Sequence, residues 1–173
     1  WKLNYIDLIP SKSSPAQARG IEIHKKIEEF YKNPKPDKDL KNFINMEVKR
    51  IKSCFKNGKL EKKYFYPLFQ ELKLSNEELG FKGIIDAVYI NPTDDGVIVM
   101  DWKTGKFDKN KIDDYRLELA IYAELLKNSG KVDSVDYWAL YFTDQDKLFF
   151  EKVDKEYIKK MYDIVKDVRQ KIE

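Results

Sequence analysis

Asp101 and Lys103 stand two residues apart at the end of an apolar run, Val97 to Lys103 (VIVMDWK), and Asp86 interrupts a second apolar run, Phe81 to Ile90 (FKGIIDAVYI). An acid inside so apolar a strand is costly to desolvate unless it meets a cation or a strong donor. Two such acids on neighbouring strands point to a shared metal ion. Hard oxygen ligands suit magnesium or manganese, which keep waters when few protein groups bind them. Side chains two apart on a strand leave the same face, so the Lys103 ammonium is expected beside the water that attacks. There it can orient or deprotonate that water, or stabilise the negative charge of a phosphorane-like transition state. A lone Asp-x-Lys is more often a surface ion pair. Gly83-x-x-Asp86 on the adjoining strand turns the reading toward catalysis. Trp102, between Asp101 and Lys103, is expected to point into the core, with its backbone carbonyl as a further metal ligand.

Residues on two helices belong to the same argument. His24 is the one histidine of the chain, and a histidine with apolar helical neighbours is ordinarily packed and hydrogen-bonded rather than metallated. Glu22 and Glu28 lie close to it, Glu28 one helical turn on. Glu118 and Tyr122 are four apart on a later helix and share a face, so both can look toward the acids, and the tyrosine hydroxyl could reach a phosphate. A carboxylate at 118 would repel that phosphate unless a cation pairs with it. Core packing is the competing role for Tyr122.

The elements that must position these residues follow from periodicity. Ser11 to Pro15 is a polar, breaker-containing stretch that leads into a helix over Ala16 to Tyr31, with Ile23, Ile27 and Phe30 at helical spacing. Asn33-Pro34-Lys35-Pro36 stops it, and Asp37 or Asp39 caps a second helix running to about Phe55. Lys63 to Leu74 reads as a half-buried strand that Pro67 places at an edge or bulge. Phe81 to Ile90 and Val97 to Trp102 form an antiparallel hairpin about the turn Asn91 to Gly96. An amphipathic helix spans Ile112 to Lys127. Ser134 to Phe142 and Lys147 to Val153 form a last hairpin, followed by a helix over Lys155 to Ile172. The order predicts an α/β fold with a mixed central sheet of about five strands flanked by helices.

Bulk properties narrow the setting. The 173 residues, 42% hydrophobic and 14% aromatic, suffice for one domain, taken as 1–173. Trp1 in place of methionine suggests that an N-terminal piece has been trimmed. Lysine and arginine number 33 against 30 acids, so net charge does not by itself announce a polyanionic partner. The single cysteine, Cys54, cannot make an intrachain disulfide, a four-cysteine zinc site or an iron–sulfur cluster, which fits a reducing, cytoplasmic setting. No run is apolar enough to span a bilayer. Thr104-Gly105-Lys106 lacks the upstream glycine of a phosphate loop. It reads as the turn out of the catalytic strand, with Lys106 free to meet backbone phosphate. Exposed aromatics such as Tyr31, Tyr64 or Tyr115 are candidates for stacking on unpaired bases, although most of the aromatic content belongs in the core.

Taken together, Gly83-x-x-Asp86, the run Asp101 to Lys106 (DWKTGK) and Arg19-Gly20-x-x-x-His24 resemble the PD-(D/E)XK nucleases, and among them the RecB-like group. That group includes nuclease domains of recombination helicases and CRISPR-associated and viral exonucleases. The likeness extends from about Arg19 to Tyr122. It implies a restriction-endonuclease-like core, His24, Asp86 and Asp101 as metal ligands, and Lys103 as the residue that completes catalysis. The group usually has glutamine and tyrosine four apart where Glu118 and Tyr122 stand, which gives these two a catalytic place and makes Glu118 a departure. Glu71 is an acid where relatives often have one, expected to stand behind the ligands. Many CRISPR-type relatives carry four cysteines for an iron–sulfur cluster, and none is expected here.

The sequence thus predicts a Mg²⁺- or Mn²⁺-dependent deoxyribonuclease, an exonuclease acting on single strands or DNA ends, working alone, as a homo-oligomer or with a helicase or other recombination partner. Its rivals are a structure-selective or nicking endonuclease of the same fold and a catalytically silent nucleic-acid-binding domain. A two-acid sugar or nucleotide hydrolase is disfavoured by Lys103 at fixed spacing from Asp101.

Overall fold

The structure, a computed structural model, describes residues 14–172. The expected trimming at Trp1 and the start of the polar stretch at Ser11 lie outside the described residues. Ser14 begins the description as a helix cap: its hydroxyl accepts from the Gln17 amide, and the Gln17 side chain accepts in return from the Ser14 amide. With Pro15 in the first turn, this capping box starts α1, Pro15–Lys32. Asp37 caps a short 3-10 turn through the Asp39 amide, and α2 follows, Lys41–Lys56.

Five strands form one sheet: β1, Phe69–Asn76; β2, Phe81–Ile90; β3, Val97–Lys103; β4, Tyr137–Phe142; β5, Lys147–Lys152. They lie in chain order, each antiparallel to its neighbour except β3 and β4, which run parallel. A parallel step requires a crossover. Helix α3, Ile112–Asn128, supplies it, and α4, Lys155–Ile172, packs beside α3.

Each face of the sheet has its own core. Ile23, Ile27, Phe43 and Met46 of α1 and α2 meet Ala87, Tyr89, Met100, Trp102 and Tyr141 on one face. Leu119, Ala120 and Met161 of α3 and α4 meet Trp138, Leu140 and Phe142 on the other. Strand β4 (YWALYF) is buried along its whole length, as a strand covered on both faces must be. This is the mixed five-stranded sheet flanked by helices of a restriction-endonuclease-like core. Among the described residues no helix is long and apolar enough to cross a membrane.

Two strands begin later than the sequence suggests. The segment read as a strand from Lys63 opens instead with a 3-10 turn, Lys62–Tyr64, and β1 starts only at Phe69. The Arg50 guanidinium takes the carbonyls of Tyr64 and Phe65, and Pro67 has no N–H to give, so these residues cannot join a ladder. Strand β4 starts at Tyr137 rather than Ser134 because Asp136 spends both its amide and its carboxylate on the backbone of Val97.

Candidate active site

Strands β2 and β3 pair from Ala87–Met100 to Ile90–Val97 and then part. Beyond Ala87 a side chain replaces the backbone ladder: Asp86 Oδ2 accepts the Trp102 N–H at 2.6 Å. The mouth of this fork holds the two acids, Asp86 and Asp101, 6% and 5% exposed. Trp102 points away into the opposite core, edge-on to Phe43, Tyr89 and Tyr141, and so anchors the end of β3.

Helix α1 brings His24 to the fork. Arg19, near its start, is tied to Asp144 in the β4–β5 turn at 2.7 Å. One turn further, His24 Nδ1 lies 3.2 Å from Asp86 Oδ1 and Nε2 lies 2.9 Å from the Trp102 carbonyl. With an acceptor at each ring nitrogen, the imidazole is held protonated. Burial opposes the charge, but the Asp86 hydrogen bond and the charges of Asp86 and Asp101 outweigh it and carry the pKa to about 9. The imidazolium is the positive charge that Asp86 and the Trp102 carbonyl share. Glu22 and Glu28, its acidic neighbours in sequence, are engaged by Lys26 and Lys32.

Glu71 enters from the outer strand in a conformation strands do not normally use. Its φ is +44°, in the left-handed region that costs a non-glycine residue about 1–3 kcal/mol. Gln70 pairs with Ala87 and Leu72 with Ile85, but Glu71 and Asp86 between them make no ladder pair. Phe69 and Leu72, three apart, pack in one cluster with Ile85 and Val88, also three apart, so in both strands the alternation slips by one residue at the site. One donor atom each from His24, Glu71 and Asp86 then falls within 4.8 Å of the others. Burial raises the Glu71 carboxyl, His24 pulls against it, and Glu28 and Asp101 push it further up.

Asp101 stands outside that group of three and turns toward Lys103, whose Nζ is 2.9 Å from Oδ2. No hydrogen bond is directed at Oδ2 among the described residues, so the pair is an ion contact that leaves a buried oxygen without a donor. Burial lifts the Asp101 carboxyl to about 6, with Lys103 opposing and Asp86 adding. Lys103 itself meets both Glu118 oxygens, at 3.1 and 2.9 Å. Burial disfavours its charge, yet the charges of Asp101 and Glu118 and the Glu118 hydrogen bonds prevail, and the ammonium is held well above the ordinary lysine range. Glu118 is thereby the paired carboxylate that the sequence left without a partner. Burial and Asp101 raise its carboxyl, while Lys103 and a hydrogen bond from Tyr122 lower it.

The glycine of Gly83-x-x-Asp86 has its reason in α3. A Cβ at position 83 would stand 3.0 Å from Tyr122 Cε1 and 3.4 Å from Leu125 Cδ1. The missing side chain is the space that the Tyr122 ring fills, and the ring in turn steadies Glu118 against Lys103. Packing and a polar contact are thus combined in Tyr122.

The donor set suits a divalent cation. Glu71, Asp86 and His24 converge, a third acid, Asp101, adds a buried oxygen without a donor, and the proton that His24 holds between two good acceptors is one a metal ion would displace. Glu71 is the member of this set that the sequence reading underrated. Its signal was present: the apolar positions Phe69, Leu72 and Leu74 step by three and then by two, as a strand with a slip would.

Comparison with known proteins adds three findings. A family model described as the PD-(D/E)XK nuclease superfamily matches residues 1–173. An 80-residue portion, 45% of the chain, is 32% identical to part of an ATP-dependent helicase/nuclease from Streptococcus suis (strain 98HAH33). The match spans 6% of that protein. A crystal structure from Eubacterium rectale, provisionally described as an exonuclease, superposes with a TM-score of 0.53 at 14% identity, covering 94% of this chain and 67% of that one.

Proposed function

Because this chain belongs to the PD-(D/E)XK nuclease superfamily, we propose that it is a Mg²⁺- or Mn²⁺-dependent deoxyribonuclease that degrades DNA from single strands or ends. The observation that carries this reading is the fork itself, where Asp86 and the donor-less Asp101 oxygen share a buried mouth with the Lys103 ammonium. His24, Glu71, Asp86, Asp101 and the Trp102 carbonyl are the groups that would hold the metal. When bound, such an ion polarises the phosphodiester and lowers the pKa of water enough to make it a nucleophile at neutral pH.

The protein's own groups divide the remaining work. Asp86 and Asp101 supply negative charge at fixed positions, backed by the Trp102 amide on one side and Lys103 on the other. Lys103, held protonated by two carboxylates, donates to the non-bridging phosphate oxygens and stabilises charge that grows on them rather than accepting a proton from water. Glu118 fixes the lysine from behind, and Tyr122 presents its hydroxyl beside it. The preference for exonuclease action, and for a RecB-like role in recombination or repair with a helicase or a second copy, rests on the motif resemblance. The helicase/nuclease identity of one relative and the provisional description of the Eubacterium rectale protein agree with it.

The test is digestion of 5′- and 3′-labelled linear and circular single-stranded DNA in Mn²⁺, Mg²⁺ or EDTA, with Asp101→Ala and Lys103→Ala beside the wild type. Metal-dependent loss of the linear strand, abolished by either substitution, is expected, with the circle surviving. Cleavage of the circle would make the enzyme an endonuclease. No cleavage, with binding retained, would reduce it to a binding domain.

A further inference from the structure

We propose that the end of α2 and the segment joining it to β1 form a docking platform for single-stranded DNA that leads into the site. The proposal rests on the nuclease reading and names where its substrate lies before reaching the fork.

The surface has three properties at once. It is aromatic and open: Phe55 is 57% exposed while stacked on Phe65, ring centroids 5.7 Å apart, and Tyr66 is 50% exposed. It is basic: five lysines and one acid, Glu61, lie between positions 52 and 63. Lys59 and Lys63 are partly neutralised by Asp95, but among the described residues Lys52, Lys56 and Lys62 have no carboxylate partner. Lys62 is poised 6.0 Å over the Tyr66 ring. Finally it is held in place. Beneath it Tyr64 is fully buried with its hydroxyl on Asp95, and Arg50 fastens the carbonyls of Tyr64 and Phe65. A fixed surface loses little entropy on binding.

Flat exposed rings among free ammonium groups match unpaired bases on a phosphate backbone. A duplex keeps its bases stacked inside and offers the rings nothing. A protein-docking patch of this apolar content would be expected to be poor in lysine, since lysine is depleted from such interfaces. Position agrees with the assignment. The Leu68 amide joins the Val88 carbonyl, and Glu71 of the fork lies five residues beyond Tyr66 along this edge of the sheet, at most roughly 17 Å at about 3.3 Å per residue. The sequence reading had offered Tyr31, Tyr64 and Tyr115 for stacking. Tyr64 is instead buried, Tyr31 is bonded to Tyr89, and Tyr115 packs against Phe107 and Phe142.

The experiment separates binding from cleavage. Affinity for a labelled 20-nucleotide oligo(dT), and for a duplex of equal length, is measured by anisotropy in EDTA over a salt series. Cleavage of a dinucleotide, too short to reach the platform, is followed separately in Mn²⁺. Tyr66→Ala or Phe55→Ala is expected to weaken oligo(dT) binding about ten-fold, since a base–aromatic stack is worth about 1–3 kcal/mol. Tyr66→Phe should restore it, and Lys52→Gln/Lys56→Gln/Lys62→Gln should flatten the salt dependence by about 2 in log–log slope. Dinucleotide cleavage should be unchanged in all of them, and duplex should bind more weakly than oligo(dT). Unaltered oligo(dT) affinity and salt slope in the variants overturns the proposal and assigns the patch to a protein partner. Equal binding of duplex overturns it as well. Absence of metal-dependent cleavage of both the oligo(dT) and the dinucleotide by the wild type, with oligo(dT) binding still dependent on Tyr66, would defeat the nuclease reading while upholding the platform.

Discussion

Two clusters of buried charge lie on this sheet, and they are built on opposite principles. In one, Glu47 and Arg50 of α2 face each other through two hydrogen bonds, at 2.9 and 2.8 Å. Arg50 spends its other donors on the carbonyls of Tyr64 and Phe65 and stacks 4.5 Å over the Tyr89 ring, whose hydroxyl is bonded to Tyr31. Every polar group in that cluster has a partner. In the other, at the fork, three carboxylates crowd one lysine and one histidine, an aspartate oxygen has no donor, and a glutamate stands in left-handed backbone. A completed network holds a fold together, whereas an incomplete one leaves bonding capacity for something that arrives later. Substitutions should therefore have opposite consequences in the two places.

The largest effect is expected at the fork and in activity alone. Asp101→Asn keeps the shape, removes the charge and should cut metal-dependent cleavage by about a thousand-fold or more, the scale of losing a group that stabilises transition-state charge. Because burial disfavours the charge and one buried oxygen has only the Lys103 ion contact, its loss should leave the metal-free protein about as stable as the wild type. Cleavage rates and thermal melts in EDTA check both halves. A variant that melts well below the wild type would mean that Asp101 is structural, and the contrast with Arg50 would fail.

The mirror-image prediction concerns Arg50→Met. It strands Glu47 as a buried charge and two carbonyls as acceptors without donors, and breaking a buried ion pair in this way costs about 3–5 kcal/mol. A large fall in denaturation midpoint is expected, with cleavage per folded molecule of a dinucleotide changed little. If that specific activity fell as far as in Asp101→Asn, the two clusters would be one functional unit.

How far the sequence disclosed each cluster differs for the same reason. The hairpin of β2 and β3, helix α3 and the α4 boundaries follow from apolar runs bounded by turn residues and from helical spacing. Asp86, Asp101 and Lys103 were visible as charges that their apolar runs could not otherwise tolerate. Glu71 is harder to place, because only the slip in alternation turns it inward, and its one trace in the sequence is the three-then-two spacing of Phe69, Leu72 and Leu74. Nor could spacing disclose that Arg50 would withdraw Tyr64 and Phe65 from the sheet, since that depends on a side chain from another element. Gly83 lies between these cases: its motif was legible, but its reason is a ring on α3.

That ring makes Gly83→Ala the sharpest probe of coupling between core and site. The added methyl would meet Tyr122 at 3.0 Å and press on Leu125. Overpacking of this kind costs about 1–3 kcal/mol, and here the strain would displace the residue that steadies Glu118 against Lys103. A modest loss of stability should therefore accompany a roughly ten-fold loss of cleavage, and Tyr122→Leu should relieve the strain without restoring the rate. Full recovery of activity in the double variant would show that Tyr122 only fills space.

The smallest effect concerns pH and the metal-free protein. His24 has its folded pKa raised from 6.5 to about 9 by Asp86 and the neighbouring Asp101. A group with a raised folded pKa binds its proton more tightly in the native state, so its contribution is fully present below the unfolded pKa and is lost as pH rises through the folded one. In EDTA, stability should thus decline between about pH 6.5 and about pH 9 for the wild type. His24→Gln should flatten that decline. Identical pH profiles for the two proteins in EDTA would mean that the imidazole is neutral at neutral pH, with one ring nitrogen accepting rather than donating. Among the described residues Lys103 would then be the one cation inside the fork, and Asp86 would face the metal site without a charge of its own to balance it.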